Sequence, residues 1–136
     1  MARRAEPPQP SKPLPRPERV EAFQRGLSAE SRAALLLIFK AYRILARRWK
    51  TPFGEIDIVA HRRSVVVFVE VKARASVDEA VEAVTERTKR RVVAAAELWL
   101  ARHSQYANGA IRFDVILVTP GKIPRYIINA FTAEVA

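Results

Sequence analysis

Gly54-Glu55-Ile56-Asp57-Ile58-Val59-Ala60, the connection His61-Arg62-Arg63-Ser64, and Val65-Val66-Val67-Phe68-Val69-Glu70-Val71-Lys72-Ala73-Arg74 form the stretch that decides the fold. The flanking runs are rich in β-branched residues and short enough to be strands, so two strands joined by a tight connection are predicted. Side chains alternate along a strand, which places Glu55 and Asp57 on one face, and Glu70 and Lys72 on the face of Val66 and Phe68. A four-residue connection at 61–64 pairs Ala60 with Val65 and sets Asp57 opposite Phe68 and Glu55 opposite Glu70. Asp57 and Glu70 are then diagonal neighbours on one face, with Cβ atoms roughly 7 Å apart. A one-residue slip would send them to opposite faces.

Working outward, Ser28 suits a helix N-cap, and Glu30, Ala33, Ala34, Leu37, Ile38 and Ala41 recur at helical spacing. Tyr42 to Trp49 alternates loosely and reads as a strand, ended by Thr51, Pro52 and Gly54. Residues 78–103 contain no Gly or Pro and are helix-prone, with Thr85 or Thr88 as a place where a separate helix can start. Asn108-Gly109 signals a turn, Ile111 to Val118 a fourth strand closed by Pro120-Gly121, and Tyr126 to Phe131 a fifth. The order α-β-β-β-α-β, with a further strand, predicts an α/β domain whose mixed sheet is flanked by helices.

The chain has 136 residues with 24 Lys+Arg against 14 Asp+Glu, a formal charge of +10. That length suits one domain, assigned to residues 20–136. Residues 1–19 hold six of the nine prolines and a net charge of +3, and read as a disordered basic arm. The absence of Cys excludes disulfides, thiol nucleophiles and cysteine-ligated metals, and suits a reducing, cytoplasmic setting. No apolar run approaches the roughly 20 residues that span a bilayer, so no membrane association is expected. The basic excess favours a polyanionic partner, nucleic acid first.

Within this basic chain the carboxylates of the decisive stretch stand out. Two acids on a mostly apolar strand pair repel and are costly to desolvate unless a cation joins them. Oxygen ligands favour a hard ion such as Mg2+ or Mn2+, and Lys72 can orient a water or stabilise charge on a phosphate. The competing reading makes Glu70 and Lys72 a solvated strand end and Asp57 a turn cap. Spacing alone leaves both open.

With their flanking residues, Gly54 to Ala60 and Val67 to Arg74 resemble the signature of the YraN-like family of small bacterial proteins. That family is regarded as related to the restriction-endonuclease-like PD-(D/E)xK nucleases and the archaeal Holliday junction resolvases. The resemblance runs from Gly26 to Phe131. It includes Glu30, Tyr42-Arg43-Ile44-Leu45, Arg91 with Ala95 and Ala96, Arg112-Phe113-Asp114-Val115 and Asn129-Ala130-Phe131. It implies a restriction-endonuclease-like core and a Mg2+- or Mn2+-dependent endonuclease acting on DNA, with branched DNA as the analogy. Asp57 and Glu70 match its metal-binding pair, Lys72 its catalytic lysine, and Glu30 its first-helix glutamate. Ala41 stands where the family usually has Gly, and Thr88 where it commonly has Lys, with Lys89 adjacent as a substitute. The alternatives are a nucleic-acid-binding module that cuts little or nothing, and a protein-interaction domain. The resolvase relatives work as dimers, which leaves a homodimer as one open assembly, although the sequence shows no interface signature.

The cations Arg74, Arg87, Lys89, Arg90 and Arg91 are candidates for phosphate contact, and Arg47, Arg48 and Lys50 form a second candidate patch. Trp49 and Trp99 are read as packing residues, His61 and His103 as surface positions, and Asp114 as structural.

Overall fold

Ser28 opens the first helix as its sequence predicts. In the computed structural model, which describes residues 27–134, its hydroxyl accepts the Ser31 N–H at 3.1 Å and starts α1, Ala29–Phe39. Both the proline-rich arm and Gly26 lie outside the described residues. At its other end α1 closes with paired bonds: Tyr42 N–H donates to the Leu37 carbonyl at 2.9 Å, and Ala41 N–H to that of Ile38 at 3.0 Å. This closure needs a left-handed residue at its centre, usually Gly, and Ala41 takes that role with φ 68°.

Five strands follow: β1 Arg43–Lys50, β2 Glu55–Arg62, β3 Val65–Ala73, β4 Ala110–Val118 and β5 Arg125–Phe131. They lie side by side in sequence order. The pairs β1/β2, β2/β3 and β4/β5 are antiparallel, and β3/β4 is parallel. A parallel pair needs a crossover. It is made by α2, Val77–Glu82, α3, Glu86–Arg102, and a 3₁₀ turn, Ser104–Tyr106. The helix-prone stretch 78–103 is thus two helices, because the Thr85 hydroxyl accepts the Thr88 N–H at 3.2 Å and caps a new start.

The sheet is covered on both faces. Ala33, Ala34 and Leu37 of α1 pack on Ile58, Ala60, Val67, Val69, Ile116 and Val118. Val92, Ala95, Ala96 and Trp99 of α3 pack on Val59, Val66, Phe68, Phe113, Val115 and Leu117. The result is a mixed α/β fold with the α-β-β-β-α-β order of a restriction-endonuclease-like core, extended by β5. Among the described residues no helix is long and apolar enough to cross a membrane.

One detail of the hairpin differs from expectation. β2 and β3 are joined by a two-residue turn, with Arg62 paired to Val65 and Ala60 to Val67. Arg63 makes this possible by adopting φ 57°, a conformation that tight hairpin turns require. The slip from the four-residue connection is two residues. Period-two alternation therefore keeps Asp57, Glu70 and Lys72 on their predicted face.

Candidate metal centre and its surroundings

The two-residue slip tightens the acidic pair. Continuing the register one step past Ile58 and Val69 sets Asp57 across from Glu70 rather than diagonal to it. Both point to the α3 side of the sheet. There they line a cleft of about 260 Å³ with Glu55, Lys72, Thr88, Arg91 and Val92. Asp57 Oδ2 accepts the Val71 N–H at 2.8 Å, which anchors the carboxylate across the end of the hairpin. Lys72 Nζ lies 3.0 Å from Glu70 Oε1.

Glu70 is 7% exposed. Burial, reinforced by the charge of Asp57 and opposed by Lys72, pushes its carboxyl up to about 7. Asp57 is also raised, first by burial, with the Val71 N–H working against the shift and Glu55 adding to it. Two neighbouring carboxyls that resist ionisation together form a pair that a bound cation would relieve. Among the described residues no three His, Asp or Glu side chains gather closely enough to cage a metal. Two carboxylates with room for water suit Mg2+ or Mn2+, which keep several waters and are held by one or two carboxylates plus substrate phosphates. The donor set fits such an ion and lacks the nitrogen and sulfur ligands of a structural zinc site.

The arrangement of the helix wall follows from Gly54. A Cβ at this position would sit 2.2 Å from the Arg91 carbonyl oxygen. The β1–β2 turn therefore lies backbone to backbone on α3, which brings Thr88 and Arg91 over the carboxylates. The turn is fixed by Thr51, whose Oγ1 accepts the Gly54 N–H at 3.0 Å and donates to the Gly54 carbonyl at 2.8 Å.

Glu30 does not line this cleft. Its Oε1 accepts from Arg47 Nε at 2.8 Å and its Oε2 from Arg48 Nε, and Arg47 also reaches Ser31 Oγ at 3.0 Å. Consecutive strand residues can both reach one carboxylate because Arg48 takes φ 48° and interrupts the alternation. Glu30 raises the Arg48 guanidinium further above its ordinary range, with smaller contributions from Glu55 and Asp57. Arg48 thus stands within electrostatic reach of both Glu30 and the acidic cleft. Three predicted site residues, Glu30, Arg47 and Arg48, form one ion-paired cluster tying β1 to α1.

The other cations separate. Arg91 lines the cleft, while Arg87 and Arg90 are exposed on α3. Lys89 does not enter the cleft: it bonds Glu86 Oε1 at 3.0 Å and lines an apolar depression with Val81, Val84, Val115 and Leu117. Arg74 is exposed just past β3, with Nη1 donating to the Ala73 carbonyl at 2.7 Å.

Asp114 is structural. It is 0% exposed, accepts from Arg112 Nε and Nη2 at 2.8 Å each and from Asn129 N–H at 2.8 Å, and is bonded by the Tyr126 hydroxyl. Burial, then Asp114, raises the Tyr126 phenol. Trp99 is buried, stacked on His103 with centroids 4.0 Å apart, and Trp49 packs against the same core. His61 lies against Tyr106, 5.5 Å between centroids. Neither histidine lines the cleft.

Comparison with known sequences identifies the family. The sequence profile of the uncharacterised protein family UPF0102 matches residues 29–118. A UPF0102 protein of Bradyrhizobium sp. strain BTAi1 is 58% identical over 125 residues, covering 92% of this chain and 91% of its own length. One from Rhodopseudomonas palustris strain BisA53 is 56% identical over 122 residues, 90% and 94% of the two chains. A third, from Nitrobacter winogradskyi, is 54% identical over 116 residues, 85% and 98%. With a profile match spanning both carboxylates and Lys72, and relatives aligned over nearly their whole length, the chain belongs to the UPF0102 family.

Proposed function

We propose that the protein is a divalent-metal-dependent endonuclease-like domain that binds DNA and hydrolyses its phosphodiester bonds. The observation that carries this reading is the convergence of Asp57, Glu70 and Lys72 in one cleft beneath Arg91. Asp57 and Glu70 would hold a Mg2+ or Mn2+ ion, which supplies positive charge at a phosphate and acidifies water. Lys72 offers N–H donors to the oxygens that gain charge as the phosphorus becomes five-coordinate. Its ammonium can also donate a hydrogen bond to the oxygen of an attacking water, whose proton the ion would make easier to lose to solvent. Arg91 at the rim and the exposed Arg87 of the same helix offer contacts to flanking phosphates.

One observation favours a second reading, a DNA-binding module that cuts weakly or not at all. Thr88 lines the cleft at the position where the family resemblance implies Lys, and Lys89 is turned away to Glu86. The two readings separate in one assay: linear, single-stranded and four-way-junction DNA incubated with Mg2+ or Mn2+, comparing wild type with Asp57→Ala and Glu70→Ala. Cutting by wild type that both substitutions abolish supports the nuclease. Binding without cutting supports the module, and metal-dependent cutting that survives both substitutions refutes the site.

A further inference from the structure

We propose that a second cavity, between the start of α1 and the carboxyl ends of β3 and β4, binds a phosphate group of the nucleic-acid strand engaged at the Asp57–Glu70 cleft. This rests on the reading of that cleft as a nucleic-acid site. The cavity measures about 360 Å³ and is lined by Arg32, Arg74, Ala29, Thr119 and Gly121, with no carboxylate in its wall among the described residues. Two guanidinium groups in one concave site, without a counter-charge among the lining residues, select an anion. The guanidinium fork matches phosphate oxygens bidentately.

Both arginines keep donors for a ligand. Arg32 is anchored by Nη2, which donates to the Lys122 carbonyl at 2.6 Å. Its Nε is buried and, among the described residues, has no hydrogen-bond acceptor. Leaving a charged donor unsatisfied is costly, and an anion drawing the guanidinium towards the cavity would supply the acceptor. Arg74 spends one of its five donors on the neighbouring Ala73 carbonyl. The amino-terminal end of α1, at Ala29, adds the positive end of a helix to the same wall. Position ties the two sites together: Lys72 lines the acidic cleft, and Ala73 and Arg74, the next residues of the chain, line the cavity. Both sites thus lie at the carboxyl end of β3, on opposite faces of the sheet, and a strand that rounds this edge would meet both.

Arginine-labelled full chain is titrated, without metal, with inorganic phosphate and with single-stranded oligonucleotides carrying or lacking a 5′-phosphate, following the Arg32 Nε–H resonance. A saturable shift is expected. A shift with both oligonucleotides identifies an internal phosphodiester as the ligand, and one confined to the phosphorylated oligonucleotide identifies a terminal phosphate. Arg32→Gln and Arg74→Gln should each weaken oligonucleotide binding about tenfold and lower the logarithmic salt slope by about 0.7. No shift with any of these ligands, or unchanged affinity and salt slope in Arg74→Gln, overturns the proposal. Arg74→Gln leaves the Arg32–Lys122 bond intact, so it decides if Arg32→Gln fails to fold. Failure of the catalytic reading shows differently, as absence of cutting by wild type with metal, and leaves these binding measurements valid.

Discussion

The Lys72 ammonium lies 3.0 Å from Glu70 Oε1, two positions along the same strand face, so one cation both restrains the Glu70 carboxyl and serves the cleft. Lys72→Met removes both effects. The Glu70 carboxyl should titrate higher than its present value of about 7, as followed by carbon-13 NMR. Metal-dependent cutting should fall by about a hundredfold or more. Lys72 is at the end of a strand with its head partly exposed, so thermal stability should change little.

Stability of the metal-free protein should carry the signature of Glu70. Its folded value is raised from 4.5 to about 7, so between those limits the folded state binds more protons than the unfolded. The contribution of this group is therefore complete below the unfolded value and is lost as pH rises through the folded one. Asp57 is shifted in the same direction. Urea melts at a series of pH values should show the difference between wild type and Glu70→Gln turning against wild type from about pH 4.5 to 7. A flat difference would contradict the burial and charge argument. Saturating Mg2+ should diminish the effect, because a bound cation favours the ionised pair.

Gly54→Ala forces a Cβ against the Arg91 carbonyl, both backbone atoms without side-chain freedom to yield. The expected cost is about 1–3 kcal/mol, measured by chemical denaturation. Because Arg91 must move with its helix, DNA affinity should fall in the folded variant even though Gly54 contacts no ligand.

Ala41→Gly should stabilise the protein. Ala41 holds φ 68° at the close of α1, where a β-carbon costs about 1–2 kcal/mol and Gly's greater unfolded freedom returns part of the gain. A net increase of about 1 kcal/mol in unfolding free energy is expected, with no change in cutting.

What could be read from sequence and what could not divide along physical lines. Alternation alone puts Asp57 and Glu70 on one face, and a two-residue difference in register leaves that unchanged because it is an even number. The cap at Thr85 was visible, yet no Gly or Pro marked the break between α2 and α3, so the exact split awaited the structure. The exchange of Glu30 from the acidic cluster to Arg47 and Arg48 could not be read, since it depends on the left-handed conformation of Arg48, which its side chain does not encode. The contact of Gly54 with Arg91 is likewise tertiary: sequence shows a glycine at a turn, and only packing shows why no larger residue fits. Arg32, one cation on a helix, carries no signal in sequence until the ends of β3 and β4 are brought beside it.

The parallel pairing of β3 with β4 has a consequence for how the cleft comes into being. Asp57, Glu70 and Lys72 lie on a hairpin closed by a two-residue turn, whose contacts are local and form early. The opposite wall, Thr88 and Arg91, belongs to the crossover between β3 and β4. Such non-local pairing carries a larger loop-closure cost and comes later. The order expected from contact locality is that the acidic half forms before the helix that covers it docks. On that order, assembly of the cleft would be a step separate from formation of its carboxylate pair, and a cation bound early would stabilise an incompletely folded species.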